Sequence, residues 1–283
     1  MPELPEVETI RRDLEPCLVG RRILRTWCSE GPRYGDIQDA AGLTVRALRR
    51  RGKYLLADLA DGEGRTVREL IIHLGMSGRL FMAASRPDSP HLRAVIELDG
   101  PEHLYFDDMR KFGQLCVVRP GDYAALETLA RMGPEPLSAD FDAAEFYQAL
   151  AASRAPVKAV LLGQRVVAGV GNIYADEALF LAGIHLGSRR VSRPQAQRLH
   201  AAVRQVLAEA IANRGTSFSL YRDGHFRPGN HYRDLKVYGR ENQPCPRCQT
   251  ALCKTRIAGR GTHFCPVCQQ AVRASAKVRA QPH

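Results

Sequence analysis

Apolar residues recur every three to four positions near the start of the chain: Val7, Ile10, Leu14 and Leu18. This spacing predicts an amphipathic helix that ends near Gly20. Pro5 suits the first helical position, and Glu6 and Glu8 suit the first turn, where the helix dipole favours negative charge. The segment MPELPEVE is therefore expected to be a helix start that is unusually rich in carboxylates.

The pattern then changes to short β-rich runs between residues 22 and 119. The predicted strands are Leu43–Leu48, Tyr54–Leu59, Val67–His73, Arg79–Met82, Ala94–Leu98, His103–Phe106 and Gln114–Val118. Turn residues such as Asp61-Gly62 and Asp99-Gly100 separate them. Short strands punctuated in this way predict an antiparallel β-sandwich or barrel for the first half of the chain.

The second half has a helical pattern. Helices are predicted over Phe141–Ala151 and Val157–Leu162, from a cap at Asn172 through Phe180, and in a long amphipathic segment after the capping box Ser192–Gln195. Glycine and proline residues gather at 132–136, where we place the domain boundary. The expected division is 1–133 (β-sandwich), 134–235 (helical), 236–270 (zinc finger) and 271–283 (a basic, disordered tail).

A glycine-rich turn, Val167–Asn172, precedes the third of these helices. Free amide N–H groups at a helix start form a ready phosphate site. Glycines in such a turn could equally serve close packing of the helix. The turn supports nucleic-acid binding only together with the charge and the cysteines described next.

Charge is strongly asymmetric along the chain. The formal net charge is +11, and twelve Arg or Lys residues against three acidic residues between Tyr221 and His283 supply +9 of it. A basic surface of this kind favours a polyanionic partner, although charge alone also fits an acidic membrane surface. No run is long enough to span a bilayer and the acidic start is not a signal peptide, so we expect a cytoplasmic monomer with no membrane partner.

Four of the eight cysteines form two CxxC pairs, Cys245/Cys248 and Cys265/Cys268, with 16 residues between the pairs. This spacing predicts one tetrahedral, four-thiolate zinc site in which the ribbon hairpin lies between the pairs. All four positions are filled by protein, so the zinc is expected to be structural. Two disulfides are the alternative, and Cys253 is the only rival ligand.

Three further clusters combine charged or apolar residues with turns. Residues 49–54 (RRRGKY) set four cations around a turn, and the three arginines could simply guard a strand edge. Residues 73–79 (HLGMSGR) place a methionine between two glycines, and residues 108–113 (DMRKFG) place an arginine and a phenylalanine beside a bend. Apolar wedges and an arginine are what proteins insert to unstack bases.

These segments together resemble bacterial formamidopyrimidine-DNA glycosylase over essentially the whole chain. The matching segments are PELPEVE, RRGKYLL, HLGMSG, DMRKFG, GPEPLS, VVAGVGNIYADEALF, KVYGR and GRGTHFCPVCQ. The resemblance implies an α+β fold with an N-terminal antiparallel β-sandwich, a helix–two-turn–helix domain and a C-terminal zinc-ribbon finger. It implies a base-excision repair enzyme that removes oxidised purines from duplex DNA and then cuts the abasic strand by β,δ-elimination.

The resemblance also assigns chemistry to the opening residues. Removal of Met1 leaves Pro2 with a secondary amine, and an α-amino group with a pKa of about 7.7–8.0 has an uncharged fraction near neutrality. Such an amine can attack C1′ and hold the sugar as a Schiff base, with Glu3 as general acid/base and Glu6 as electrostatic support. By resemblance Lys53 and Arg260 donate protons for β- and δ-elimination, although either could instead contact phosphate.

The family pattern also supplies candidate DNA contacts. The residues expected to bind DNA are His91, Arg110, Arg154 and Asn172, with Met76, Arg110 and Phe112 filling the void left by the flipped nucleotide. The matches around His91 and Arg154 are loose. The lesion-recognition loop is expected within residues 216–232.

Two alternatives stay open. The sister enzyme endonuclease VIII shares the fold but prefers oxidised pyrimidines. Leu4 and the two wedge segments, residues 73–79 (HLGMSGR) and 108–113 (DMRKFG), favour the purine enzyme. A catalytically idle zinc-finger DNA-binding protein is the other possibility, although Pro2, Glu3 and Lys53 are all present. A proline acting as a base on small carbonyl compounds fits neither the cysteines nor the charge.

Overall fold

The structure of the protein is a computed structural model that describes residues 2–218 and 221–270. The expected basic tail, 271–283, and two residues of the expected lesion loop, 219–220, lie outside the described residues.

Helix α1 opens the fold and nine strands follow it. Their bounds are α1 Leu4–Leu18, β1 Ile23–Cys28, β2 Tyr34–Gly35, β3 Thr44–Arg51, β4 Tyr54–Ala60, β5 Thr66–His73, β6 Arg79–Ala83, β7 Leu92–Leu98, β8 His103–Asp107 and β9 Gln114–Val118. The predicted first helix is confirmed, with Glu3 as its N-cap and Pro5 in its first turn. All seven predicted strands form; β1 and β2 were not predicted.

The strands make two sheets that face each other across a shared core. One sheet has the order β2-β9-β5-β4-β3 and the other β1-β7-β8-β6. Neighbouring strands are antiparallel except for the two-residue β2, which lies parallel to β9. Residues from both sheets and from α1, among them Leu55, Ile96 and Ile10, fill the core. The predicted antiparallel sandwich is confirmed, and α1 packs against it.

The second half consists of helices and a hairpin. The bounds are α2 Glu127–Ala130, α3 Ala143–Ala151, α4 Val157–Leu162, α5 Asn172–Ala182, α6 Arg193–Ala212, β10 Cys253–Ile257 and β11 Arg260–Phe264. Ser192 and Gln195 form the predicted capping box of α6. Asn172 is not the cap of α5: it is the first helical residue, and Gly171 is the N-cap. In the described residues no helix is long and apolar enough to cross a membrane.

The two halves are joined at the start of the chain. Leu4 of α1 is fully buried in the core of the helical half rather than in that of the sandwich. Its backbone N–H donates to the carbonyl of Gly169, in the turn before α5, at 3.1 Å. The first residues of the protein therefore lie at the junction between the sandwich and the helices.

Candidate active site

The carboxylate of Glu3 caps a helix that is remote in sequence. It accepts hydrogen bonds from the amides of Gly171 (2.8 Å), Ile173 (2.8 Å) and Tyr174 (3.4 Å) at the start of α5. Amides at a helix start favour an anion, and here the protein supplies its own. The interpretation of this turn as a phosphate site is therefore wrong for these three amides.

Gly171 is required by this contact. A Cβ placed on Gly171 would lie 2.2 Å from Cδ of Glu3, which is far inside contact distance. The turn before it is equally tight, because Gly169 has a φ of 77° and a Cβ there would meet the side chain of Leu4 at 2.5 Å. The glycines thus serve close approach of the N-terminal segment to α5.

Glu6 forms a second buried carboxylate beside Glu3. Its Oε2 accepts the backbone N–H of Glu3 at 2.7 Å, and its Oε1 accepts the hydroxyl of Tyr174 at 2.6 Å and the amide of Thr216 at 2.7 Å. The hydroxyls of Tyr174 and Thr216 lie 3.0 Å apart. Sequence reasoning assigned no role to Tyr174, which reads as an ordinary core aromatic of α5.

Burial raises the pKa of both carboxyl groups. Glu3 is 1% exposed, and burial raises its pKa to about 7, although the positive charge of Lys53 lowers it; the neighbouring Glu6 raises it further. Burial likewise raises the pKa of Glu6, opposed by its hydrogen bond from Tyr174. A carboxyl group with a pKa near neutrality can both give and take a proton under physiological conditions.

Lys53 shares this electrostatic environment with Glu3, Glu6 and Arg260. Burial lowers its pKa, the two carboxylates raise it and the Arg260 guanidinium lowers it. His73, which sequence reasoning did not single out, lies close enough that Lys53 helps burial to lower its pKa to about 4. Pro2, immediately before Glu3, is buried.

The turn that carries Lys53 is fixed by residues 132–135, at the expected domain boundary. Gly52, with a φ of 54°, donates its amide to Glu135 at 2.6 Å, and Arg51 bonds the carbonyls of Met132 and Gly133. Arg50 is only 11% exposed and pairs with Glu135 at 2.7 Å and with Glu8 at 3.0 Å. The strand-edge guard interpretation is therefore wrong for Arg50, which ties β3 to α1 and to residue 135.

Arg260 begins strand β11 of the finger hairpin and is exposed. The next residue, Gly261, accepts hydrogen bonds at its carbonyl from Asn172 (3.0 Å) and from Lys158 (3.2 Å). Lys158 in turn forms a fully buried ion pair with Asp176 of α5 at 2.6 Å. Asn172 thus lies beside the residue that follows Arg260.

The two wedge segments are brought together by a buried carboxylate. Asp108 is 0% exposed, accepts the hydroxyl of Ser77 at 2.5 Å and accepts the amide of Gly113 at 2.7 Å. The amide of Arg110 bonds both Ser77 and Asp108, at 3.1 and 3.2 Å. Sequence reasoning missed Ser77 and Asp108, whose roles depend on this non-local contact.

This arrangement presents the predicted void-filling residues on one surface. Phe112 is 44% exposed, and the Arg110 guanidinium lies 4.8 Å from its ring centre. Met76, in the other loop, is half-buried. His91 joins the same region, because its carbonyl accepts the amide of Asp108 at 2.8 Å. Arg154 lies elsewhere, exposed in the turn between α3 and α4.

The four predicted zinc ligands cluster. The Sγ atoms of Cys245, Cys248, Cys265 and Cys268 all lie within 4.8 Å of one another. Two of the separations are 3.9 Å and 3.5 Å, too long for disulfides and close to the spacing of about 3.8 Å that a tetrahedron with Zn–S bonds of about 2.3 Å demands. Cys253 is not part of the cluster. The donor set fits one structural zinc ion.

Family models match three consecutive parts of the chain. The formamidopyrimidine-DNA glycosylase N-terminal domain matches residues 1–115, the H2TH domain of the same enzyme matches 132–221, and the zinc finger found in FPG and IleRS matches 242–271. The chain belongs to the formamidopyrimidine-DNA glycosylase family. The zinc-finger match supports the cysteine cluster as this family's zinc site.

Individual relatives agree over nearly full length. The formamidopyrimidine-DNA glycosylase of Deinococcus radiodurans is 49% identical, with 95% of this chain and 97% of the relative covered. A crystal structure of MutM (Fpg) from Thermus thermophilus is 44% identical with a TM-score of 0.87, covering 95% of this chain and 98% of that one. Lactococcus lactis Fpg in complex with abasic-site DNA is 35% identical with a TM-score of 0.86, covering 95% and 100%.

Proposed function

We propose that this protein excises oxidised purines, chiefly 8-oxoguanine and formamidopyrimidines, from duplex DNA and then cleaves the resulting abasic strand. The names of its relatives, and Lactococcus lactis Fpg structures that hold Fapy-dG or abasic DNA, support this substrate class. The protein would act as a cytoplasmic monomer on DNA that contains the lesion. The division into 1–133, 134–235 and 236–270 is part of the same proposal.

Pro2 is the nucleophile in this proposal, once Met1 is removed. The lone pair of its nitrogen attacks C1′. The glycosidic bond between C1′ and the base then breaks, and the base leaves with the electron pair and receives a proton. The amine proton is lost, the sugar ring opens as O4′ takes up a proton, and C1′ and the nitrogen are left joined as an iminium. Glu3 is placed to move these protons because it is adjacent and has a pKa of about 7.

Lys53 and Arg260 serve the later eliminations. The iminium acidifies C2′, so loss of a C2′ proton expels the 3′ phosphate, and a further elimination expels the 5′ phosphate. Both cations would lie near the leaving phosphates, as their mutual electrostatic influence and that of Glu3 support. The proton-transfer roles are assigned by family resemblance, and phosphate contact is the minimal role of each.

DNA contacts complete the proposal. His91, Arg110, Arg154 and Asn172 would bind the duplex, and Met76, Arg110 and Phe112 would fill the space of the flipped nucleotide. The exposed Phe112–Arg110 pair beside Met76 supports this assignment. The observation that carries the whole proposal is the buried pair of carboxyl groups, Glu3 and Glu6, close after Pro2. The charge of Lys53 lowers the pKa of Glu3, so the two groups interact electrostatically.

Borohydride trapping tests the proposal. The protein is incubated with duplexes that contain 8-oxoguanine or an oxidised pyrimidine, and adducts are mapped by mass spectrometry. We expect a covalent adduct at Pro2 with the 8-oxoguanine duplex, none with a preparation that retains Met1, and an adduct that survives in Lys53→Ala. An adduct on Lys53, or none with either duplex, would overturn the mechanism, and faster trapping on the pyrimidine duplex would reassign the substrate.

A further inference from the structure

Arg214, two residues after α6, has an unusual backbone conformation. Its φ is 60°, in the left-handed region that glycine prefers. For a residue with a Cβ this conformation costs on the order of 1–2 kcal/mol and persists only where the surroundings hold it. The contacts of the Arg214 side chain hold this backbone conformation in place.

The guanidinium of Arg214 bridges two carboxylates from different parts of the chain. Its Nη2 lies 2.6 Å and 2.8 Å from the carboxylate oxygens of Asp13, on α1, and 2.5 Å from Asp223. Its Nε also donates to Asp223, at 3.1 Å. The side chains of Asp13 and Asp223 are only 7% and 1% exposed, so these are well-shielded ion pairs.

Asp223 and Asp13 are themselves fixed by backbone groups. Asp223 accepts the amides of His225 (2.9 Å) and Arg227 (2.8 Å), and Asp13 accepts the amide of Gly224 (3.1 Å). The side chain of Arg214 therefore attaches the segment after residue 220 to α1, which is the helix that follows Pro2 and Glu3.

The residues directly after Arg214 reach the active site. Thr216 donates its amide to Glu6, and a Cβ on Gly215 would lie 2.8 Å from the same Glu6 oxygen. The carbonyl of Gly215 accepts the amide of His231 at 3.0 Å. Arg214 therefore fixes the point at which this segment leaves α6 and meets Glu6.

We propose that Arg214 is a positioning residue for base excision, acting through its bridge between Asp13 and Asp223 to hold Thr216 against Glu6. This inference rests on the proposed glycosylase function. Both excision and cleavage of an abasic site use Pro2 and Glu3, but only excision requires a base to be held beside them. Loss of the bridge therefore slows excision more than abasic-site cleavage.

The experiment compares Arg214→Gly, Arg214→Lys and Asp13→Asn with the wild-type protein. Glycine tolerates the left-handed backbone, so Arg214→Gly removes the bridge without adding strain. The matched control is Arg68→Ala, since Arg68, on strand β5 of the five-stranded sheet, is equally exposed at 37% and also pairs with a carboxylate, that of Asp39. Single-turnover rates are measured on an 8-oxoguanine duplex and on a preformed abasic duplex, together with amide hydrogen exchange at Thr216.

We expect Arg214→Gly and Asp13→Asn to lower the ratio of excision to abasic cleavage about tenfold or more, since small misplacements cost that much. A double variant that combines Arg214→Gly with Asp13→Asn should lose no more of this ratio than either single variant, and Arg214→Lys should lose less. Exchange at Thr216 should accelerate in both variants that lose the bridge, while Arg68→Ala should leave the ratio and the exchange rate unchanged.

Two results would overturn the inference. One is an unchanged ratio with unchanged exchange at Thr216. The other is that Arg214→Gly binds the duplex more weakly and with a smaller salt dependence, while Asp13→Asn has no effect on the ratio. That result would make Arg214 a phosphate contact. A wild-type protein that releases no oxidised base would contradict the proposed function instead, and exchange at Thr216 would still decide whether the bridge holds this segment.

Discussion

Lys158 and Asp176 form an ion pair of 2.6 Å between two side chains that are 0% exposed. The same ammonium donates to the hydroxyl of Thr262 at 2.7 Å, and the same carboxylate accepts the amide of His263 at 2.8 Å. One buried pair thus connects α4 and α5 to strand β11 of the finger, which begins at Arg260.

Breaking this pair should destabilise the protein strongly. Lys158→Met leaves the charge of Asp176 buried without a partner, so we expect a loss of about 3–5 kcal/mol in the free energy of unfolding. The control is Arg165→Met, whose pair with Glu127 is largely exposed and is worth about 1 kcal/mol or less. Urea unfolding measures both, and equal effects of the two variants would contradict the prediction.

The raised pKa of Glu3 predicts a pH-dependent stability. The folded protein binds the Glu3 proton more tightly than the unfolded chain, so stability is fully present below the ordinary pKa of 4.5 and is lost as pH rises towards the folded pKa of about 7. The shift corresponds to about 3 kcal/mol. The side chain in Glu3→Gln cannot ionise, so between pH 5 and pH 8 the stability of the wild type should fall relative to that of this variant by most of this amount.

Urea unfolding at several pH values measures that difference. Because burial also raises the pKa of Glu6, the informative quantity is the difference between wild type and Glu3→Gln at each pH, not the wild-type curve alone. Curves that run parallel from pH 5 to pH 8 would contradict a raised pKa for Glu3.

Zinc binding should depend on the cysteine cluster alone. We expect one zinc ion per chain by metal analysis, and we expect Cys265→Ser to lose it. Structural zinc contributes on the order of 10 kcal/mol to the folding free energy of such fingers. Its removal should therefore unfold the finger that carries Arg260 and abolish strand cleavage. Cys253→Ser is the matched control, since Cys253 lies outside the cluster, and it should retain both zinc and activity.

The wedge residues should matter only in duplex DNA. Phe112→Ala should lower the rate of excision from a duplex about tenfold or more, since extruding a base costs a few kcal/mol, and it should have little effect on a single-stranded abasic substrate. Met109→Ala provides the control, because Met109 is similarly exposed, at 48% against 44%, but is not assigned to the void. Equal losses in both variants or on both substrates would argue against void filling.

Local patterns account for what the sequence predicted well. Strand β4 carries a near-continuous apolar run and β5 contains the buried apolar run Leu70–Ile72, and the zinc ligands lie within two tight CxxC turns whose geometry is set locally. Strand β1 was missed because its outward residues include Leu24 and Trp27, 49% and 43% exposed, which destroys the alternation. Strand β2 has only two residues and leaves no pattern to detect.

The predictions that failed depend on partners far away in the sequence. The amides at the start of α5 looked free because their acceptor, Glu3, lies 168 residues from Gly171. Arg50 looked like an edge guard because its partner Glu135 comes from beyond the sandwich. Spacing along a chain identifies which residues can do chemistry, but the ion pairs and caps that hold them arise only when distant segments pack.

The cap that Glu3 places on α5 also restricts how this protein can be recombined with its relatives. The acid belongs to one half of the chain, whereas the amides that hold it and the bare Cα of Gly171 that admits it belong to the other. In a chimera that joins a sandwich to a helical half with any side chain at position 171, that side chain would clash with the carboxylate of Glu3. A working chimera must therefore combine a sandwich that carries Glu3 with a helical half that carries glycine at position 171.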